Sequence, residues 1–191
     1  MNDQQIIEQL KQGNEPAFRY LVEQHQKMVV NTCFSLVHDS DDADDLAQEV
    51  FIEVYNSIDR FRADAKISTW LYRIAVNKSL NFIRDNKKRK FFKKIEDVFT
   101  GRNYTDSDTG LSFDEPDAEL QEKQKAAILH KAIDSLPENQ RVAFTLNKYE
   151  DLSYKEISEV MGLSLSSVES LIHRAKKNLQ EKLYDCYKKD C

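Results

Sequence analysis

The fold turns on the stretch Ser153-Tyr154-Lys155-Glu156-Ile157-Ser158-Glu159-Val160-Met161-Gly162-Leu163-Ser164-Leu165-Ser166-Ser167-Val168-Glu169-Ser170-Leu171-Ile172-His173-Arg174-Ala175-Lys176-Lys177-Asn178-Leu179. Ser153 followed three residues on by Glu156 is a capping box: hydroxyl and carboxylate each take an amide proton that a helix start leaves unpaired. Ile157, Val160 and Met161 form the apolar face of that helix, and Gly162-Leu163-Ser164 makes a turn. Ser164 caps the next helix, where Leu165, Val168, Leu171, Ile172, Ala175 and Leu179 are spaced for burial. Two short helices joined by a three-residue turn containing glycine form a helix-turn-helix, whose second helix enters the major groove with its N-terminal residues first. The exposed face then carries Ser164, Ser166, Ser167, Glu169, Ser170, His173, Arg174 and Lys177. Serine and glutamate suit base edges; the basic groups suit phosphates. A plain helical hairpin docked on a protein partner is the competing reading; the turn and both caps favour DNA.

Upstream of this unit, residues 138–149 read as a helix, and residues 118–136 as another, stopped at Leu136-Pro137. Residues 95–117 are polar, acidic and rich in Gly, Ser, Thr and Asp, the composition of a flexible linker. Fully extended they reach about 75–80 Å, so two lobes are expected to be tethered loosely. In the first half, a short helix ends at Gly13, Glu15-Pro16 opens a second, and Asp41–Ser57 forms a third with acids at its positive end. Residues 59–66 read as a loop, after which Ser68 or Thr69 caps a helix from Trp70 to about Asn86. The expected architecture is all-α: two small helical domains, 1–94 and 118–191, joined by a flexible acidic linker, the second containing the helix-turn-helix. Only 4 Gly and 3 Pro among 191 residues leave too few turn residues for a hairpin-rich β fold.

The net charge of −5 hides a strong pattern. Residues 1–65 carry −8, residues 66–94 carry +9, residues 95–122 carry −8, and the remainder +2. A focused basic block outweighs an acidic total as a footprint for nucleic acid. Within it, Arg73, Asn77, Asn81 and Arg84 recur at helical spacing on one face. Asn amides read bases, Arg holds backbone, and Trp70 and Phe82 stack on exposed bases, which is the chemistry unpaired DNA requires. The bland alternative is a solvated charged face on a core helix.

Other classes fare poorly. No apolar run of 18 residues exists and no secretory signal opens the chain. Cys33, Cys186 and Cys191 are an odd, scattered set that fits a reducing cytosol, and Cys186/Cys191 match no zinc spacing. Asp39, Asp41 and Asp44 superficially suggest a calcium loop, but Asp44 and Val50 stand where that loop needs Gly and Glu. The four histidines show no paired spacing, and no phosphate loop appears. No metal site, cofactor or catalytic constellation is expected. A self-sufficient regulator on the same helix-turn-helix would bind a palindrome as a dimer; no dimer seam or pocket motif is visible. An adaptor acting through residues 39–58 would leave the basic helix without a task.

The motifs together resemble the sigma-70 family, the promoter-specificity subunits of bacterial RNA polymerase, in the two-domain layout of its extracytoplasmic-function group. Asp42-Ala43-Asp44-Asp45-Leu46-Ala47-Gln48-Glu49-Val50-Phe51 resembles the polymerase-binding helix, Ser68-Thr69-Trp70-Leu71-Tyr72-Arg73-Ile74-Ala75-Val76-Asn77 the −10 region, and Leu136-Pro137-Glu138-Asn139-Gln140-Arg141 with the helix-turn-helix the −35 domain. The resemblance implies that Asp42, Asp44, Asp45, Gln48, Glu49 and Phe51 meet the β′ clamp of core RNA polymerase, with the β subunit as a further contact. It implies that the loop with Phe61, Arg62, Lys66 and Ser68 captures a base flipped from the −10 element, and that Trp70, Arg73, Asn77, Asn81 and Arg84 hold the melted strand. Ser164 through Lys177 would read the −35 element, and the linker would thread the product channel. An anti-sigma partner, often membrane-bound in this group, a cytoplasmic location and no membrane insertion by the chain itself are also implied. Glu169-Ser170-Leu171 departs from the more basic Lys-Ser-Arg of many members. Glu169 either accepts from cytosine N4 or faces the polymerase. The acidic flanks predict that the free chain binds promoters poorly until polymerase covers residues 39–53.

Overall fold

A computed structural model describes residues 3–61, 66–100 and 118–189, with the side chains of 94–100, 118–123, 185–187 and 189 left out. Eight α-helices occur among the described residues: α1 Asp3–Lys11, α2 Glu15–Val37, α3 Ser40–Ser57, α4 Ile67–Thr100, α5 Ala118–Asp134, α6 Glu138–Lys148, α7 Tyr154–Met161 and α8 Leu165–Lys189, with one 3-10 turn at Ile58–Arg60. None is long and apolar enough to cross a membrane.

Local chemistry accounts for most helix ends. Gly13 takes a left-handed φ of +71° after α1. Asn14 then caps α2 by accepting from the Ala17 amide at 3.0 Å. Asp39 caps α3 by accepting from the amides of Asp41 and Asp42, each at 3.0 Å, and acids in that first turn suit the positive end of the helix. α4 begins at Ile67, earlier than expected, so neither Ser68 nor Thr69 is its cap; both lie in its first turn. The Ile67 amide instead meets the Asp3 carboxylate of α1 at 3.5 Å. The other end of α4 also departs from expectation. Residues 95–100, expected in the linker, continue the helix to Thr100. Neither Gly nor Pro interrupts residues 67–100, and the Lys/Arg run at 87–90 favours helix. Of the expected linker, residues 101–117 lie outside the described residues.

The N-terminal lobe packs α2, α3 and α4 against one another, closed at one end by α1, around Leu21, Val29, Cys33, Val50, Val54 and Leu71. The C-terminal lobe packs α5, α6 and α7 against α8. The lobes are not merely tethered. Leu36, Tyr72, Val76 and Leu80 of the first share one apolar core with Val142, Leu146, Ile157, Val160 and Ile172 of the second. Such burial contributes about 1.5–3 kcal/mol for each large aliphatic side chain removed from water, enough to hold two lobes of one chain together.

Candidate nucleic-acid interface

The helix-turn-helix forms as the local signals require. The Ser153 amide donates to Glu156 Oε2 at 3.0 Å and the Glu156 amide to Ser153 Oγ at 3.3 Å, closing the capping box. The Ser153 hydroxyl, donating to Glu156 Oε2 at 2.7 Å, and then the Ser153 amide hold the Glu156 carboxyl below its ordinary pKa. Gly162 ends α7 at φ +65°, donating to the Ser158 carbonyl. The Ser167 amide then donates to Ser164 Oγ at 3.2 Å, the cap expected for α8. Val168, Ile172, Ala175 and Leu179 are buried, but Leu165 is 48% exposed rather than buried, because it stands on the first turn ahead of the core. Ser164, Ser166, Ser167, Glu169, Ser170, His173, Arg174 and Lys177 all face solvent. Glu169, Ser170, His173 and Arg174 line one shallow concavity of about 450 Å³. Arg174 Nε donates to the Ser170 carbonyl at 3.2 Å, which lays the guanidinium along the helix. Lys177 lies 4.0 Å from Glu181, one turn on.

On α4, Arg73, Asn77, Asn81 and Arg84 share an exposed face, as their spacing predicts. Its two arginines reach the other lobe. Arg73 donates through Nε, at 3.1 Å, and through Nη2 to the Glu159 carbonyl of α7, and Arg84 Nε lies 3.5 Å from Glu138 Oε2 of α6. Both arginines and Asn77 line a cleft of about 430 Å³ between α4 and α6–α7. Phe61 is buried rather than displayed by a loop, packed on the half-buried Trp70 at 4.8 Å between ring centroids. Lys66 is exposed and Ser68 half-buried; Arg62 lies outside the described residues.

α3 presents the acidic face. Asp44, Asp45, Gln48 and Glu49 are exposed and Asp42 is half-buried. Burial, then the neighbouring carboxylates Asp39, Asp45 and Asp41, push the Asp42 carboxyl up. Lys78 of α4 reaches Glu49 at 3.4 Å and Glu53 at 4.0 Å, tying the acidic helix to the basic one. Phe51 does not belong to this face: it is 7% exposed and lies in the core, because it falls on the stripe of Ala47, Val50 and Val54. Two large side chains beside this face also stand on the surface. Ile52 and Tyr55 are 60% and 58% exposed, and they continue the row of Asp45 and Gln48 at helical spacing, a signal present in the sequence.

The lobes meet again beside α2, where polar groups are gathered that no sequence spacing pairs. His38 caps α2 at φ +61° and stacks on His130 of α5, rings 4.1 Å apart and 6° from parallel. His38 Nε2 is 3.3 Å from Asp134 Oδ1, and Arg141 Nη1 3.5 Å from the same oxygen. Burial lowers the His130 pKa, and the charge of His38 lowers it further. Burial would raise Asp134, but hydrogen bonding and charge from His38, with Arg141 and His130, hold it below its ordinary value. Tyr72 donates to Glu150 Oε2 at 3.4 Å while Glu150 Oε1 is buried without a partner. Beneath them Cys33 is buried, and burial pushes its thiol up to about 11. Among the described residues no cluster of His, Cys, Asp and Glu has the form of a metal site.

Comparison with known proteins agrees with this arrangement. The family pattern "Sigma-70 region 2" matches residues 21–89 and "Sigma-70, region 4" residues 126–179. The RNA polymerase sigma-H factor of Pseudomonas aeruginosa is 34% identical over 184 residues, 95% of this chain and 93% of that protein. The ECF RNA polymerase sigma-E factors of Haemophilus influenzae and Escherichia coli K12 are 34% and 32% identical, each over 96% of this chain and over 96% and 95% of their own lengths. Among solved structures, CnrH in complex with the cytosolic domain of CnrY superposes with a TM-score of 0.68 at 23% identity, over 96% of this chain and 97% of that one. The sigma factor RpoE of Bartonella quintana, in complex with the anti-sigma factor NepR, does so with 0.57 at 22% identity, over 87% and 96%; at those identities the likeness concerns the fold. The chain belongs to the sigma-70 family, in its extracytoplasmic-function group, and is a sigma factor for promoter-specific transcription initiation by RNA polymerase.

Proposed function

We propose that the chain performs initiation through three separate faces and with no chemistry of its own. In the N-terminal domain, residues 1–94, the exposed row Asp44, Asp45, Gln48 and Glu49 of α3, flanked by Asp42, docks on the β′ clamp of core polymerase. Arg73, Asn77, Asn81 and Arg84 of α4, with Trp70, Lys66 and Ser68, hold the −10 strand. In the C-terminal domain, residues 118–191, the solvent-facing side chains of α8 from Ser164 to Lys177 read the −35 element, and the domain also contacts the β subunit. Residues 95–117 connect the two domains, with 95–100 entering as helix. The chain acts in the cytoplasm and is held in check by an anti-sigma protein. The observation that carries the reading is the acidic face of α3, open to solvent and directly backed by the basic α4 through Lys78.

Gel filtration with bacterial core RNA polymerase tests it, beside the variant Asp45→Lys/Glu49→Lys. The expected result is co-elution of the wild type and its loss in the variant, with circular dichroism unchanged. A variant that co-elutes as well as the wild type would remove α3 from the polymerase interface.

A further inference from the structure

Between Ser164 and Lys177, Glu169 is the one acidic residue, and it stands among the side chains that α8 turns to solvent. Burial separates it from its neighbour Leu171. Leu171 is half-buried and packs on the core that holds Val168 and Ile172, so it serves the fold. Glu169 is exposed and lines the concavity of about 450 Å³ with Ser170, His173 and Arg174. The basic groups nearby are placed by other partners: Arg174 Nε donates to the Ser170 carbonyl, and Lys177 lies 4.0 Å from Glu181. Among the described residues, no hydrogen bond or ion pair engages the Glu169 carboxylate. A full negative charge is thus carried, uncommitted, on the face that enters the groove, in the second turn of α8.

A carboxylate brought between two rows of phosphates is repelled by both. It is favourable there only against a base edge that offers a proton, because it can accept and cannot donate. In the major groove cytosine presents its N4 amino group as a donor. Adenine sets the N7 acceptor beside its N6 donor, guanine presents two acceptors, and thymine an acceptor and a methyl group. Cytosine is therefore the base that meets a carboxylate without an opposing lone pair. We propose that Glu169 sets a base preference within the −35 element, its carboxylate accepting a hydrogen bond from cytosine N4. The proposal rests on the assignment of α8 to the −35 element and names the base that one side chain selects there. Arg174, held along the helix by its bond to the Ser170 carbonyl, donates to the adjacent DNA backbone and offsets the repulsion. A lysine at position 169 would hold phosphates of any sequence; a glutamate can only select.

The test uses the full chain in holoenzyme with core polymerase, DNA duplexes randomised over both promoter elements, and sequencing of the DNA retained. The wild type is expected to favour cytosine over the other bases by about tenfold at one position of the −35 element. Glu169→Gln is expected to move the preference at that same position to adenine, because an amide pairs with N6 and N7 together. Glu169→Ala is expected to leave that position close to random while the other positions keep their preferences. A change of base identity at a single position is a readout that a merely structural role would not give. A Glu169→Gln variant that keeps the wild-type preference overturns the proposal, as does a wild type with no favoured cytosine in the −35 element. An alanine variant that loses every position together overturns it too, since the side chain would then be supporting the domain. Failure of the underlying assignment is read separately, from Arg174→Ala/Lys177→Ala. Uniformly weaker retention of all sequences keeps α8 on the DNA whatever Glu169 does; unchanged retention removes α8 from the promoter.

Discussion

Glu150 is a carboxylate in the wrong medium. One oxygen meets the Tyr72 hydroxyl at 3.4 Å, the other is buried without a partner, and burial pushes the group's pKa above its ordinary value. A carboxyl whose folded pKa is raised destabilises the fold where it is ionised. The penalty is full above the folded pKa, fades as pH falls from the folded to the unfolded value, and is gone below it. Glu150→Gln is therefore expected to stabilise the chain by about 1 kcal/mol at pH 7. That gain should vanish near pH 4, where the wild-type carboxyl is protonated; urea denaturation at the two pH values measures it. A substitution that is neutral or destabilising at pH 7 would show that the carboxylate is compensated after all. Nothing in the sequence around Glu150 marks this strain, because Tyr72, which partners it, stands far away in the chain. The capping box at Ser153/Glu156 and the left-handed Gly162 were legible because each is settled within four residues.

At the scale of elements, periodicity located the helices, and its phase sorted their faces better than family likeness did. The likeness placed Phe51 on the polymerase face, but the phase of Ala43, Ala47, Val50 and Val54 puts it in the core, where it lies. The same phase exposes Ile52 and Tyr55. Phe51→Ala is expected to cost about 3–5 kcal/mol of stability and to lower every activity together. Ile52→Ser/Tyr55→Ser is expected to leave the melting temperature within a few degrees and to weaken co-elution with core polymerase selectively. Thermal melts beside gel filtration separate the two, and a double variant that binds polymerase normally would confine docking to the acidic residues. α4 was harder to bound. Its start is fixed by Asp3, on another helix, and its end runs past the basic block into a segment whose composition had suggested a linker. At 34 residues it is a rod of about 51 Å.

For the whole molecule, the sequence made two lobes legible and their embrace illegible. Tyr72, Val76 and Leu80 read as a helix face in need of a partner, but any apolar face of the chain would have served, and the stacked histidines belong to helices with no spacing in common. The charge blocks were plain from composition; which of them the fold leaves open was not.

The arrangement of open and covered faces also dictates an order of events in time. A visitor arriving at the chain finds the acidic row of α3 unengaged, whereas Arg73 and Arg84 of the α4 row already hold Glu159 and Glu138 of the other lobe, so polymerase is expected to arrive before promoter. Rapid mixing of fluorescently labelled chain with core polymerase is expected to show two phases. The first depends on polymerase concentration and slows with added salt, as attraction between opposite charges requires. The second is a rearrangement within the complex whose rate no longer depends on how much polymerase is present. A single concentration-dependent phase at every concentration would mean that opening is not a separate step.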